Sequence, residues 1–116
     1  MAFKRGELRL ARLNPKKGNE VGKLRPVLIY QTDFLNYIDH PTTTILPLST
    51  HLIDNAYPLR YRLLNRDKIE KDSDILIDQI RAIDNSRIFN DILTILSDSE
   101  LKEIDSMVVK TLGIGF

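Results

Sequence analysis

Arg25 stands between a loop rich in Lys and Gly and the apolar run Pro26-Val-Leu-Ile-Tyr30. The proline after it biases Arg25 to extended backbone, which fixes where the guanidinium points. A rigid Arg at the mouth of a strand suits bidentate binding of a phosphate. Read alone, such an Arg is more often one half of a structural salt bridge. Ser49-Thr50 closes the β-branched run that begins at Thr42 and precedes His51. Hydroxyls at that place can donate to a phosphoryl oxygen, although they more often cap a turn. Neither has a His-Asp pair beside it in sequence, so a serine-hydrolase triad is not supported.

Other chemistries lack their residues. The chain has no cysteine, so a disulfide framework and a thiolate metal site are both impossible. His40 and His51 are the only histidines, and neither has a second His or an acid at ligand spacing. Asp67, Asp72, Asp74 and Asp78 resemble an acidic cluster but lack the glycine and bidentate Glu of a calcium loop. We read them as solvated loop acids. No Gly-rich phosphate loop is present. The expectation is catalysis, if any, without metal or cofactor.

Elements that would hold these residues are legible from periodicity. Residues 6–13 alternate apolar Leu8 and Leu10 with Glu7, Arg9 and Ala11, as a half-buried strand does. Residues 14–24 form a long loop. The run 26–30 is short and continuously apolar, the pattern of a central strand buried on both faces. The connection 31–41 has room for a helical turn at Asp33-Phe-Leu-Asn. Thr42–Ser49 is a strand whose Pro47 belongs at an edge or near a bulge. Residues 58–64 set Leu59, Tyr61 and Leu63 on one side and Arg60 and Arg62 on the other. Residues 74–83 make a strand or bent pair interrupted at Asp78-Gln79. A turn at 84–87 leads to a weaker apolar segment, 88–95. Ser97-Asp-Ser-Glu100 is a capping box. It opens a helix striped by Leu101, Ile104, Val108 and Leu112 and stopped by Gly113. The sum is a small antiparallel barrel or strongly curled sheet with one terminal helix against it.

A length of 116 residues, 42% apolar and 28% charged, fits one ordinary globular domain spanning 1–116. No apolar run approaches bilayer length, and the N-terminus lacks the apolar core of a signal peptide, so we expect a cytoplasmic protein with no membrane association. Net charge is only +1, but it is unevenly spread. Residues 1–50 hold eight Lys/Arg against four Asp/Glu, a net of +4, while residues 51–100 hold seven against ten, a net of −3. A basic first half can supply phosphate contacts.

Five blocks then occur in a telling order: Lys4-Arg-Gly-Glu7; Leu13-Asn-Pro with Gly18-Asn-Glu20; Arg25-Pro-Val-Leu-Ile; Ile45-Leu-Pro-Leu-Ser-Thr50; and Asp78-Gln-Ile-Arg-Ala-Ile-Asp-Asn-Ser-Arg87. Together with the terminal Leu-Ser-Asp-Ser-Glu-Leu segment, they resemble the MazF/PemK/Kid toxins from Lys4 to Gly113. The resemblance implies a mainly β (α+β) fold, an SH3-like barrel of the CcdB/PemK type with a C-terminal helix, assembled as a homodimer. It implies sequence-specific, metal-independent cleavage of single-stranded RNA, leaving a 2′,3′-cyclic phosphate and a 5′-hydroxyl. It also implies inhibition by an antitoxin with an acidic, disordered tail. Catalysis would fall to Arg25 and to Ser49 or Thr50. Substrate would meet Asn19, Glu20, Asp78 and Gln79.

Two departures matter. The family usually has Thr-Ser where this chain has Ser49-Thr50, which leaves open which hydroxyl acts. Some relatives have a His at the position of Asn19, and Asn cannot relay a proton. RNA brings its own nucleophile in the 2′-hydroxyl, so the protein must align it and stabilise the phosphorane. Arg25 suits that stabilisation, and Glu20 is a candidate base. Two other functions fit the same barrel: a non-catalytic gyrase poison of the CcdB type, and a weakly active relative that binds mainly antitoxin or DNA.

Overall fold

The computed structural model describes residues 3–13, 18–19 and 23–115. Among them are seven strands and two α-helices: β1 (Glu7–Leu13), β2 (Lys23–Ile29), α1 (Asp33–Tyr37), β3 (Thr42–Ser49), β4 (Arg60–Leu63), β5 (Ser73–Leu76), β6 (Arg81–Asp84), β7 (Ile88–Ile95) and α2 (Asp98–Leu112). The strands make one antiparallel sheet in the order β4-β5-β3-β2-β1-β7, with β6 also paired to β3.

Strand alternation sorts the apolar residues onto two faces. On β1, β2 and β3, Leu8, Leu28, Leu46 and Leu48 join one cluster, which Leu101, Ile104, Met107 and Val108 of α2 cover. Ala11, Leu13, Val27, Ile29 and Ile45 point the other way and pack with Phe3, Ile83 and Ile88. The run 26–30 is therefore buried on both faces, as its continuous apolarity requires. The sheet curls until its edges meet. The segment after β4 lies along β7, with the Lys68 amide donating to the Leu93 carbonyl at 3.1 Å. Arg66 reaches across the same seam to the Ile95 carbonyl at 2.7 Å and to Glu100 at 2.8 Å.

Three elements differ from the periodicity reading. The second strand begins at Lys23, so Arg25 lies inside β2 opposite Ala11 rather than ahead of the strand. The polar side of β1 is not solvated: Glu7 and Arg9 are each 4% exposed and form an ion pair at 2.8 Å. Arg9 also stacks over Phe3 and donates to the carbonyls of Phe89 and Asn90, because β7 and the N-terminal segment cover that face. Pro47 sits neither at an edge nor at a bulge. It lies in a central strand, where β3 passes from pairing β6 (through Ile45) to pairing β5 (from Leu48). The missing N–H falls between the two ladders.

Helix α2 opens on the expected capping box, with the Ser97 hydroxyl accepting from the Glu100 amide and Glu100 accepting from the Ser97 amide. Gly113 ends it in the left-handed region at φ 69°. Its buried stripe is Leu101, Ile104, Met107 and Val108; Leu112 is exposed, and Met107 takes the place expected for it. Gly6 lets β1 approach this helix, since a Cβ there would stand 3.1 Å from Leu101 Cδ1. Tyr30 anchors α2 by donating to Asp105 at 2.5 Å, and Arg5 bonds the same carboxylate. Burial, and then the Asp105 carboxylate, push the Tyr30 phenol well above its ordinary range, so it remains a neutral donor. No helix among the described residues is long and apolar enough to cross a membrane.

We expect Ile104→Ala, which empties a fully buried site between α2 and the sheet, to cost about 2–5 kcal/mol in urea unfolding. A loss below about 1 kcal/mol would mean that α2 is not part of the cooperative core.

Candidate active site

Arg25, Val27 and Ile29 share one face of β2, and Ile45, Pro47 and Ser49 share the same face of β3. Val27 lies opposite Pro47. The ladder ends there, and Arg25 and Ser49 each lie two residues beyond that pair on the same face. The row continues across the sheet: Ser49 pairs with Asp74 of β5, and Asp74 with Arg62 of β4. Four strands thus contribute a polar line, Arg62, Asp74, Ser49 and Arg25, at the end of an otherwise apolar face. Arg25 is half-buried, and Ser49 is 8% exposed.

The same alternation separates the two hydroxyls. Thr50 follows Leu46 and Leu48 onto the opposite face, where it lines a cavity of about 350 Å³ with Leu10, Pro26, Lys68, Ile69 and Leu93. Ser49, and not Thr50, therefore shares a sheet face with Arg25. Ser49 does cap a turn, as hydroxyls at such positions commonly do. Its Oγ accepts from the His51 amide at 3.1 Å. The hydroxyl proton remains available to donate.

Asp78 and Gln79 lie on a 3-10 turn, residues Ile77–Gln79, between β5 and β6. This turn passes the stretch of β3 where the two ladders separate. Gln79 Nε2 donates to the Asn19 carbonyl at 3.5 Å, which brings Asn19 to the turn. Asp78 is exposed. Arg25 and Ser49 thus share a sheet face, and Asn19 is bonded to Gln79. Glu20 lies outside the described residues.

Asp74 is not the solvated loop acid that the sequence suggests: it is 1% exposed and carries the densest polar contacts near the site. Its carboxylate accepts from Arg62 Nε at 2.6 Å, Arg60 Nη1 at 3.0 Å and the Ile53 amide at 2.9 Å. Burial alone would raise its pKa. The Arg62, Ile53 and Arg60 bonds outweigh that and hold it below the usual carboxylate range. Two of the other acids have separate partners: Asp67 accepts from Thr94 and Asp72 from Asn65. Sequence reading placed Arg60 and Arg62 on one side of their strand without naming a target. The signal that points to it is an Asp directly heading the apolar strand run Ile75-Leu-Ile77, since a carboxylate drawn into a buried strand needs cations opposite.

Over residues 4–112 the chain matches the family described as PemK-like, MazF-like toxin of type II toxin-antitoxin system. The chain belongs to this family. It is 35% identical over 113 residues to Endoribonuclease MazF of Staphylococcus saprophyticus, covering 97% of this chain and 92% of that one. The crystal structure of MazF from Deinococcus radiodurans superposes with a TM-score of 0.80 at 22% identity, over 98% of this chain and 99% of the other. An endoribonuclease in complex with its cognate antitoxin, from a mycobacterial species, superposes with a TM-score of 0.69 at 16% identity, over 99% and 97%. The barrel with its terminal helix is therefore the fold of MazF toxins, and the polar row occupies one end of it.

The Asp74 contacts give a pH prediction. A carboxyl whose folded pKa is depressed stabilises fully above its unfolded value, about 3.9, and loses that contribution as pH falls through the folded value. Urea midpoints of the wild type and Asp74→Asn should differ by a constant amount above about pH 5 and converge as pH drops below about 4. A difference unchanged down to pH 2.5 would place the source elsewhere.

Proposed function

We propose that this chain is the toxin of a type II toxin-antitoxin pair and acts as an endoribonuclease on single-stranded RNA, with Arg25 and Ser49 at the scissile phosphate. What supports this is that Arg25 of β2 and Ser49 of β3 share one sheet face, each two residues beyond the Val27–Pro47 pair. Family membership and 35% identity to a MazF endoribonuclease support the activity.

The reaction is transesterification. The 2′-hydroxyl attacks the adjacent phosphorus, the P–O5′ bond breaks, and the products are a 2′,3′-cyclic phosphate and a 5′-hydroxyl. Negative charge grows on the non-bridging oxygens as the phosphorane forms. Arg25 faces that charge with two N–H groups, and the Ser49 hydroxyl donates one more hydrogen bond. The protein supplies no nucleophile, and a fixed guanidinium supplies the charge that a metal ion would otherwise bring. A base must take the 2′-proton, and Glu20 is the candidate, since an Arg is too weak an acid to be found deprotonated for that task. The departing 5′-oxygen takes its proton from water or from the Arg25 side of the site. Thr50, on the other face, is not in this set.

Asn19, Asp78 and Gln79 carry donors and acceptors suited to base edges, which single-stranded RNA exposes. This is the basis for sequence-specific cutting. The assembly is a homodimer. The antitoxin tail is acidic and disordered, folds on binding and competes with RNA for the basic surface around β1 and β2. The compartment is the cytoplasm.

Purified protein should cleave RNA in excess EDTA and leave a cyclic phosphate. Arg25→Ala should lower the single-turnover rate by roughly 10²–10³, the loss typical of one transition-state donor, with unfolding unchanged. Ser49→Ala should fall in the same range and Thr50→Ala should stay near wild type. Intact RNA in cells whose growth the protein arrests would overturn the reading.

A further inference from the structure

The row beside Ser49 contains more than packing requires. Arg60 Nη1 donates to two acceptors, the Asp74 carboxylate and the His51 carbonyl, each at 3.0 Å. The carboxylate oxygen that takes Arg60 also takes the Ile53 amide at 2.9 Å. One guanidinium–carboxylate pair thus grips the turn after β3 at residues 51 and 53. The residue held by its carbonyl, His51, is the one whose amide donates to Ser49 Oγ.

We propose that Arg60 and Asp74 are positioning residues that preset the Ser49 hydroxyl for the phosphate. A serine hydroxyl has one proton and two lone pairs, and its rotor is otherwise free. An amide fixed against Oγ occupies a lone pair and turns the proton away from the turn, toward the open side of the sheet face shared with Arg25. The amide is fixed because its own residue is clamped by Arg60, and Arg60 is fixed by a carboxylate that cannot move. Asp74 is buried and held on its other oxygen by Arg62 at 2.6 Å. The hydroxyl therefore meets the developing charge already oriented, and no reorganisation is needed at the moment of reaction.

This inference rests on the reading of Ser49 as the phosphate-facing donor, and the experiment separates the two. Single-turnover RNA cleavage is measured for the wild type, Ser49→Ala, Arg60→Gln and the double variant, with RNA affinity measured alongside. Arg60→Gln leaves Asp74 its bonds to Arg62 and Ile53, so the fold should survive. We expect it to slow cleavage about tenfold, part of the roughly hundredfold that a misplacement of about 1 Å can cost, with affinity for RNA unchanged. The double variant should be no slower than Ser49→Ala, because Arg60 acts only through that hydroxyl. Full activity in Ser49→Ala would defeat the site assignment and the clamp together. A slow Ser49→Ala with a wild-type rate in Arg60→Gln, or with effects that multiply in the double variant, would overturn the clamp alone. Hydrogen exchange at the His51 amide gives a second reading in the wild type, which needs no variant to fold. Protection well above that of an exposed loop amide is expected, and exchange at the exposed rate would overturn the proposal.

Discussion

Strand β3 is bonded along both edges, and one edge must change partner part-way. On one side it meets β2 through Ile45, Leu46 and Pro47. On the other it meets β6 as far as Ile45 and β5 from Leu48 onward. A proline is tolerable inside such a strand only where an N–H is not required, and the handover supplies that place. The bend between the ladders also produces the Ile77–Gln79 turn, because the chain must leave β5 and re-enter the sheet as β6. The position of Asp78 and Gln79 is therefore a consequence of the same handover that lets Pro47 lie in the middle of the sheet.

Register on β3 then decides the chemistry. In a strand of period two, adjacent residues face opposite ways, so Ser49 and Thr50 cannot serve the same site. One pairs with Asp74 on the face that carries Arg25; the other lines a cavity beside Pro26 and Lys68. The reversed order of the two hydroxyls relative to the usual family pattern thus still leaves a hydroxyl on the Arg25 face. Its character changes from Thr to Ser. A serine hydroxyl lacks the β-branch that restricts χ1, and the turn contact from His51 restrains it instead.

The cost of the arrangement is a buried carboxylate. Taking Asp74 out of water is unfavourable by several kcal/mol unless its lone pairs are filled and its charge is paired. Three donors fill them, two of them guanidiniums. Arg62 also bonds Asp54 at 2.8 Å, so the network extends into the loop between β3 and β4. Buried ionic groups of this kind contribute geometric definition more than net stability. Here the geometry defined is that of the turn following Ser49.

The sequence alone determined the mainly β class, the capped terminal helix, the doubly buried run at 26–30 and the candidate set around Arg25, because periodicity, capping boxes and block order are local properties. It also marked Arg60 and Arg62 as sharing a side. Which side of the sheet each residue faced, and what lay across from it, was not local. Glu7 and Arg9 lie on the polar side of their strand by alternation, yet Phe3 and β7, the latter about eighty residues away, cover them. Asp74 read as a loop acid because its two cations lie on a different strand. At Ser49-Thr50, residue type left two equivalent hydroxyls, and only the pairing of β3 with β2 and β5 distinguished them. A hydroxyl's identity is written in the chain, but its neighbour across a sheet is set by register, and register is fixed by the burial of every other residue on the strand.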